Sequence, residues 1–177
     1  MTLQNKGNDN VPSYTAFKTR QGWLGLLASS RGITSLTLPY PTEKQALEAV
    51  AQGSSARRVD NSQFGGTIAR IRDYFDGKPV DFTDALDFSA GTLFQQRVWK
   101  TCRLIGYGQT RPYSWIAKQI GQPAAARAVG NVLNKNPVPI IVPCHRVVAA
   151  GGGIGGYGGG LAVKKELLAL EGVTFSD

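Results

Sequence analysis

The stretch IVPCHRVV, residues 141–148, sets a thiol beside an imidazole. Cys144 is one of two cysteines, and His145 is the single histidine in 177 residues. A thiol attacks carbon as thiolate, and an unperturbed cysteine ionises at a pKa of about 8.5. A neighbouring imidazole can take that proton, and a basic surrounding favours the anion. Glu171 offers a third group. It falls in the last turn of a helix predicted over LAVKKELLALEG, residues 161–172, where the helix dipole disfavours an anion. A carboxylate there needs a cationic or imidazole partner. Cys144, His145 and Glu171 thus supply nucleophile, base and orienter. The plainer alternative is a buried cysteine beside an ordinary histidine, and the residues alone leave both open. Side chains of neighbouring strand residues point to opposite faces. The pair therefore cooperates only if the chain turns after Pro143 or a water bridges them.

These groups must be held by the elements around them. Ile140, Ile141 and Val142 read as a short buried strand, framed by Pro139 and Pro143, which cannot donate to a ladder. Upstream, PYSWIAKQIGQPAAARAVGNVLNKN predicts two helices, Ser114–Ile120 and Pro123–Leu133, joined by Gly121 and Gln122. Two helices about a tight glycine turn suggest a helix-turn-helix. Its second helix carries small residues and a single Arg127. Readers of the major groove carry several long polar side chains. Small residues suit close approach to a minor groove with one arginine inserted. A buried alanine-rich helix is the equal alternative.

Before these helices, Thr92 and Gln95 have capping-box spacing, and Phe94, Val98, Cys102 and Ile105 recur at helical intervals. Cys102 is therefore read as a core residue. After residue 150, GGGIGGYGGG holds eight glycines in ten residues. It lacks the βαβ context and the Gly-Lys-Ser/Thr ending of a nucleotide loop. We read it as a mobile loop whose backbone approaches a ligand, with Tyr157 as its one large side chain.

The first half predicts an α+β domain: SYTAFKT, GWLGLLAS and GITSLTLP as an antiparallel meander, then a helix over residues 42–50 and another in TIARIRDYF. GSSARRVDNS reads as a loop. No catalytic constellation is evident there. The expected division is a flexible tail over residues 1–12, an α+β domain over 13–88 and a mostly helical domain over 89–177.

Charge follows the same division. Residues 1–88 carry 10 Lys/Arg and 9 Asp/Glu, whereas residues 89–177 carry 10 and 3, with no acidic residue between Asp87 and Glu166. A one-sided basic field fits a polyanion partner. There is no apolar run long enough to span a bilayer and no apolar signal core. Both cysteines are expected free, and the composition offers no zinc site, so no metal is expected.

The motifs VPCHRVV, NPVPII, YGGGLAVKKELLALEG, TLFQQRVWK, PYSWIAKQIG and AAARAVGNVLNKNP together resemble the O6-alkylguanine-DNA alkyltransferase family, over most of residues 92–172. The resemblance implies direct-reversal DNA repair, in which an alkylated guanine is flipped from the duplex into a pocket. It implies a helix-turn-helix domain with a winged-helix-like arrangement. Cys144 would attack the alkyl carbon, His145 would deprotonate the thiol through a water, and Glu171 would hold the imidazole. Asn136 would tie the active-site turn to the helix-turn-helix, and Tyr113 would assist the departing guanine. Arg127 would fill the gap left by the base, with Ala125, Ala126, Ala128 and Gly130 along the groove. Leu133, Pro139, Val147, Tyr157, Gly158, Gly159 and Trp99 would line the pocket. No cofactor is implied. The partner would be double-stranded DNA carrying O6-alkylguanine, bound by a monomer, with cooperativity along DNA left open. A cytoplasmic, nucleoid-associated protein is expected, or a nuclear one in a eukaryote. Many relatives have Ser where this chain has Gly158. Three rivals remain: a lesion-marking module, which would lack Cys144; a helix-turn-helix regulator; and a Cys-His hydrolase.

Overall fold

The computed structural model describes residues 11–175. The expected tail lies outside them except for Val11 and Pro12.

The three apolar segments form β1 (Ser13–Thr19), β2 (Gly22–Ser29) and β3 (Gly32–Leu36), paired antiparallel as predicted. A two-residue strand, β4 (Arg57–Arg58), joins parallel to β1 inside the segment read as a loop, giving the order β3-β2-β1-β4. Helix α1 (Glu43–Ala51) follows its cap, Thr42, whose hydroxyl accepts from Gln45 N. It lies so close to β2 that a Cβ on Gly25 would sit 2.5 Å from Ala46 O. Only glycine allows that approach. Helix α2 (Gly65–Phe75) buries Ile68, Ile71, Tyr74 and Phe75 against the sheet and the second domain.

The C-terminal domain is helical. Helix α3 (Leu93–Cys102) opens with the expected capping box: Gln95 N donates to Thr92, and Thr92 N donates to Gln95. Cys102 is fully buried on its inner face. Strand β5 (Arg111–Pro112) leads into α4 (Tyr113–Gln119) and pairs parallel with β6 (Val147–Val148). The second predicted helix is shorter than expected. Pro123–Ala125 form a 3-10 turn, and α5 runs over Ala126–Leu133. The last helix, α6 (Leu161–Leu170), ends in a Schellman arrangement, with Gly172 at φ 77° and Val173 N donating to Leu168 O. One apolar core runs through both domains, from Phe17 and Ile71 to Val98, Ile105 and Val142.

The strand predicted at Ile140–Val142 is not formed. The segment is a tight turn: Ile141 N donates to Pro139 O, Val142 N to Val138 O and Cys144 N to Val142 O. Ile140 takes φ 74°, a costly conformation for a β-branched residue. Full burial of its side chain holds it there. The flanking prolines deny the segment a ladder, and burial alone does not distinguish a turn from a strand.

Candidate active site

The turn continues past Pro143. Cys144–Arg146 form a single 3-10 turn, so neighbouring side chains do not alternate as in a strand. Cys144 faces a cavity of about 410 Å3, while His145 points into the interior and is fully buried. Among the described residues no hydrogen bond joins the sulfur to His145.

Asn136, two residues past the C-cap of α5, orders the sulfur. Its Nδ2 donates to Cys144 Sγ (3.0 Å) and to Val142 O (2.8 Å), while its Oδ1 accepts from Val138 N (3.0 Å). Three bonds fix the amide's orientation. Burial pushes the Cys144 thiol up, against the pull of Asn136, Tyr157 and the Lys164 charge. The resting sulfur is therefore a thiol, in a setting with donors ready for an anion.

His145 Nε2 donates to Glu171 Oε1 at 2.7 Å. Burial pushes the imidazole down, outweighing the carboxylate's opposing pull, so the ring is neutral at pH 7. The proton on Nε2 leaves Nδ1 as the basic nitrogen, and Nδ1 is buried with no hydrogen-bond partner among the described residues. Glu171 is the C-cap of α6, as its sequence position requires. Burial would raise its carboxyl, but His145 and Arg146 together hold it at about 2. Arg146 Nε lies 2.9 Å from Oε2, and its Nη2 lies 3.0 Å from Oε1. Gly108 N donates to Oε2 at 3.0 Å. The partner that Glu171 needed is thus both an imidazole and a guanidinium.

A further donor comes from the other domain. Tyr74 OH, on α2, donates to Glu171 Oε1 (2.8 Å) and lies 3.2 Å from His145 Nε2. The first half, in which no catalytic constellation was evident, thus contributes one side chain to the site. In the sequence Tyr74 was one more aromatic on an amphipathic helix, and no local signal marked it.

Lys164 also escaped the sequence reading. It is fully buried in α6, and burial lowers its ammonium to about 8. Its Nζ donates to Val147 O (2.6 Å), Ile154 O (2.6 Å) and Gly156 O (3.0 Å). Two of these carbonyls, of Ile154 and Gly156, belong to the glycine-rich loop expected to be mobile. Tyr113 OH adds a bond to Gly156 O at 3.1 Å.

Leu133, Pro139, Tyr157, Gly158 and Gly159 line the cavity at Cys144, as expected. Trp99 and Val147 do not. Trp99 packs on Phe88 in the core, with Nε1 donating to Val132 O, and Val147 is buried behind the active-site turn. The resemblance implied them as pocket wall, but here both belong to the core. The N-terminal domain supplies the opposite wall, including Thr37, Leu38 and Tyr40, which sequence reasoning did not anticipate. Gly158 approaches the end of α5 closely: a Cβ there would sit 2.6 Å from Asn134 O.

On α5 and the 3-10 turn before it, Arg127 and Ala128 are exposed, and Ala125, Ala126 and Gly130 are half-buried. The alanine-rich face is therefore at the surface rather than sealed in the core. A Cβ on Gly130 would touch the Tyr113 ring at an ordinary 3.6 Å. No cluster of His, Cys, Asp or Glu among the described residues could hold a metal ion, and no helix among them is long and apolar enough to cross a membrane.

Comparison with known proteins gives this geometry its family. The profile described as "6-O-methylguanine DNA methyltransferase, DNA binding domain" matches residues 93–173. The one described as "6-O-methylguanine DNA methyltransferase, ribonuclease-like domain" matches residues 13–88. A methylated-DNA–protein-cysteine methyltransferase of Mycolicibacterium paratuberculosis is 51% identical over 134 residues, covering 75% of this chain and 81% of the relative. The Mycobacterium tuberculosis OGT crystallised in complex with DNA superimposes with a TM-score of 0.75 at 41% identity, covering 90% of this chain and 92% of that one. The O6-methylguanine-DNA methyltransferase of Pyrococcus kodakaraensis gives a TM-score of 0.64 at 29% identity, covering 92% and 100%. With both halves matched and a buried Cys144 backed by His145 and Glu171, the chain belongs to the methylated-DNA–protein-cysteine methyltransferase family.

Proposed function

We propose that the protein repairs alkylated DNA by direct reversal, moving the alkyl group of O6-alkylguanine onto Cys144. The observation that carries this reading is a cavity-facing thiol on the same turn as His145, whose Nε2 is anchored by Glu171 and whose Nδ1 has no hydrogen-bond partner among the described residues. His145 Nδ1 takes the thiol proton through a bridging water, and the Asn136 amide steadies the thiolate. The sulfur displaces the alkyl carbon in line. The S–C bond forms, the C–O6 bond breaks, and its electron pair leaves with guanine, which accepts a proton from the side of Tyr113. Burial pushes the Tyr113 and Tyr157 phenols up, so both remain protonated donors at neutral pH.

For the sulfur to reach the lesion, the base must leave the duplex. Helix α4, the Gly121–Gln122 turn and α5 act as a helix-turn-helix in a winged-helix-like domain. The small residues Ala125, Ala126, Ala128 and Gly130 let α5 approach the minor groove, and Arg127 fills the vacated stack. Leu133, Pro139, Tyr157, Gly158 and Gly159 receive the flipped base. The basic C-terminal domain supplies the phosphate attraction. A thioether is not hydrolysed under mild conditions, and no group in the site regenerates the thiolate. The protein is thus an enzyme by reaction class that acts once per molecule, as a monomer.

The experiment is peptide mass spectrometry after mixing with duplex DNA carrying one O6-methylguanine. The expected result is one methylene's mass on the Cys144 peptide, in stoichiometric amount, with guanine restored. Lesion binding without a mass change would make the protein a lesion marker. Neither binding preference nor reaction would overturn the proposal.

A further inference from the structure

Leu38 lines two cavities. On one side lies the cavity that ends at Cys144. On the other lies a smaller one of about 160 Å3, between the two domains. Pro39, Phe75 of α2, and Val163, Leu167 and Leu170 of α6 form most of its wall, with Gln21 and Glu166 as its polar members. Leu38 is the partition, and it seats on the glycine-rich loop. A Cβ on Gly159 would fall 2.3 Å from Leu38 Cδ1, so any larger residue at 159 would move the Leu38 side chain from that seat. None of the groups that move protons or electrons in the alkyl transfer belongs to the smaller cavity.

In-line displacement keeps sulfur, carbon and leaving oxygen on one axis. Whatever else the carbon bears must project sideways. A methyl group needs no extra room, whereas a longer chain needs a cavity in the wall of the pocket. We propose that the interdomain cavity is a side chamber for the tail of longer O6-alkyl groups, and that Leu38 is the partition that sets which tails are accepted. The inference rests on the alkyl-transfer reading above and names its substrate class: uncharged aliphatic O6-alkyl groups of about four carbons. The chamber's walls favour such tails by about fourfold per buried methylene. A carboxylated tail is disfavoured, because its charge would be desolvated beside Glu166.

The test uses the full chain and two duplexes that differ only in carrying O6-methylguanine or O6-n-butylguanine. The reading is the ratio of second-order transfer rates, butyl over methyl. Val163→Trp fills the chamber from α6, remote from the Cys144 cavity, and is expected to lower the ratio about tenfold. Leu38→Ala removes the partition and is expected to raise it about threefold. It only deletes atoms, so it keeps the test decisive if the bulkier variant fails to fold. A ratio unmoved by Leu38→Ala overturns the chamber while leaving alkyl transfer standing. Absence of methyl transfer in the unmodified chain overturns the alkyl-transfer reading, and the chamber with it.

Discussion

Five N–H and O–H groups converge on the Glu171 carboxylate, from Tyr74, Gly108, His145 and two nitrogens of Arg146. They hold an anion at the negative end of α6 with a pKa of about 2, against an ordinary value of 4.5. A carboxylate depressed on folding stabilises the protein above its unfolded pKa, and that stability is lost as pH falls through the folded value. The shift is worth about 3 kcal/mol. Glu171→Gln should therefore lower stability by about 3 kcal/mol at pH 7, through the stranded Arg146 charge, and the gap should close between pH 4.5 and 2. Urea midpoints taken across that range check it, and a gap that does not depend on pH would show that the cluster is not charged. Cys144 and His145 as a pair to watch, and the need for an anion's partner at residue 171, were legible in the sequence. Tyr74 and Lys164 were not. An aromatic on an apolar stripe and one lysine of a Lys-Lys pair carry no local mark of their distant partners.

Elements were legible where their causes are local. The capping box at Thr92 needs only four residues, and Thr92→Ala should cost about 1 kcal/mol. A calorimetric midpoint lower by about 2–4 °C is the expected sign. The Ile140 turn was not legible, because three apolar residues between prolines read alike as strand or buried turn. The hold on the glycine-rich loop was not legible for a similar reason: its composition permits motion, and the ammonium that binds its carbonyls comes from 8 and 10 residues away. Lys164→Met should release it, with amide exchange over residues 154–158 accelerating while α6 stays protected. Unchanged exchange would mean that Tyr113 and the backbone suffice to hold the loop. At Gly158 a serine Cβ would meet Asn134 O, so Gly158→Ser must displace the C-terminus of α5. A fall in melting temperature without any change in the Asn136–Cys144 contact would place the strain at Asn134.

At the scale of the molecule, the division into an α+β half and a basic helical half was readable from patterning and charge. The join between them was not. Tyr74→Phe removes the hydroxyl that the N-terminal domain sets against Glu171 and His145 and keeps the ring packed on Phe75 and Tyr107. Transfer to Cys144 should slow by about tenfold, with the pH profile displaced and the folded baseline kept. A variant that reacts at the normal rate would make Tyr74 purely structural. The charge asymmetry predicts its own signature. Affinity for undamaged duplex should fall steeply with salt, and Arg127→Ala should spare that slope far more than it spares lesion repair.

The Tyr74–Glu171 bond also has a history in time. It spans 97 positions, and the carboxylate that completes the base lies 27 residues after the sulfur it serves. During synthesis the first domain folds early, and Cys144 emerges before Glu171 exists. Contacts so distant in sequence form late, after loop closure. An unfinished chain therefore exposes an ordinary thiol, and the Cys144–His145–Glu171 cluster is assembled only when the last helix docks.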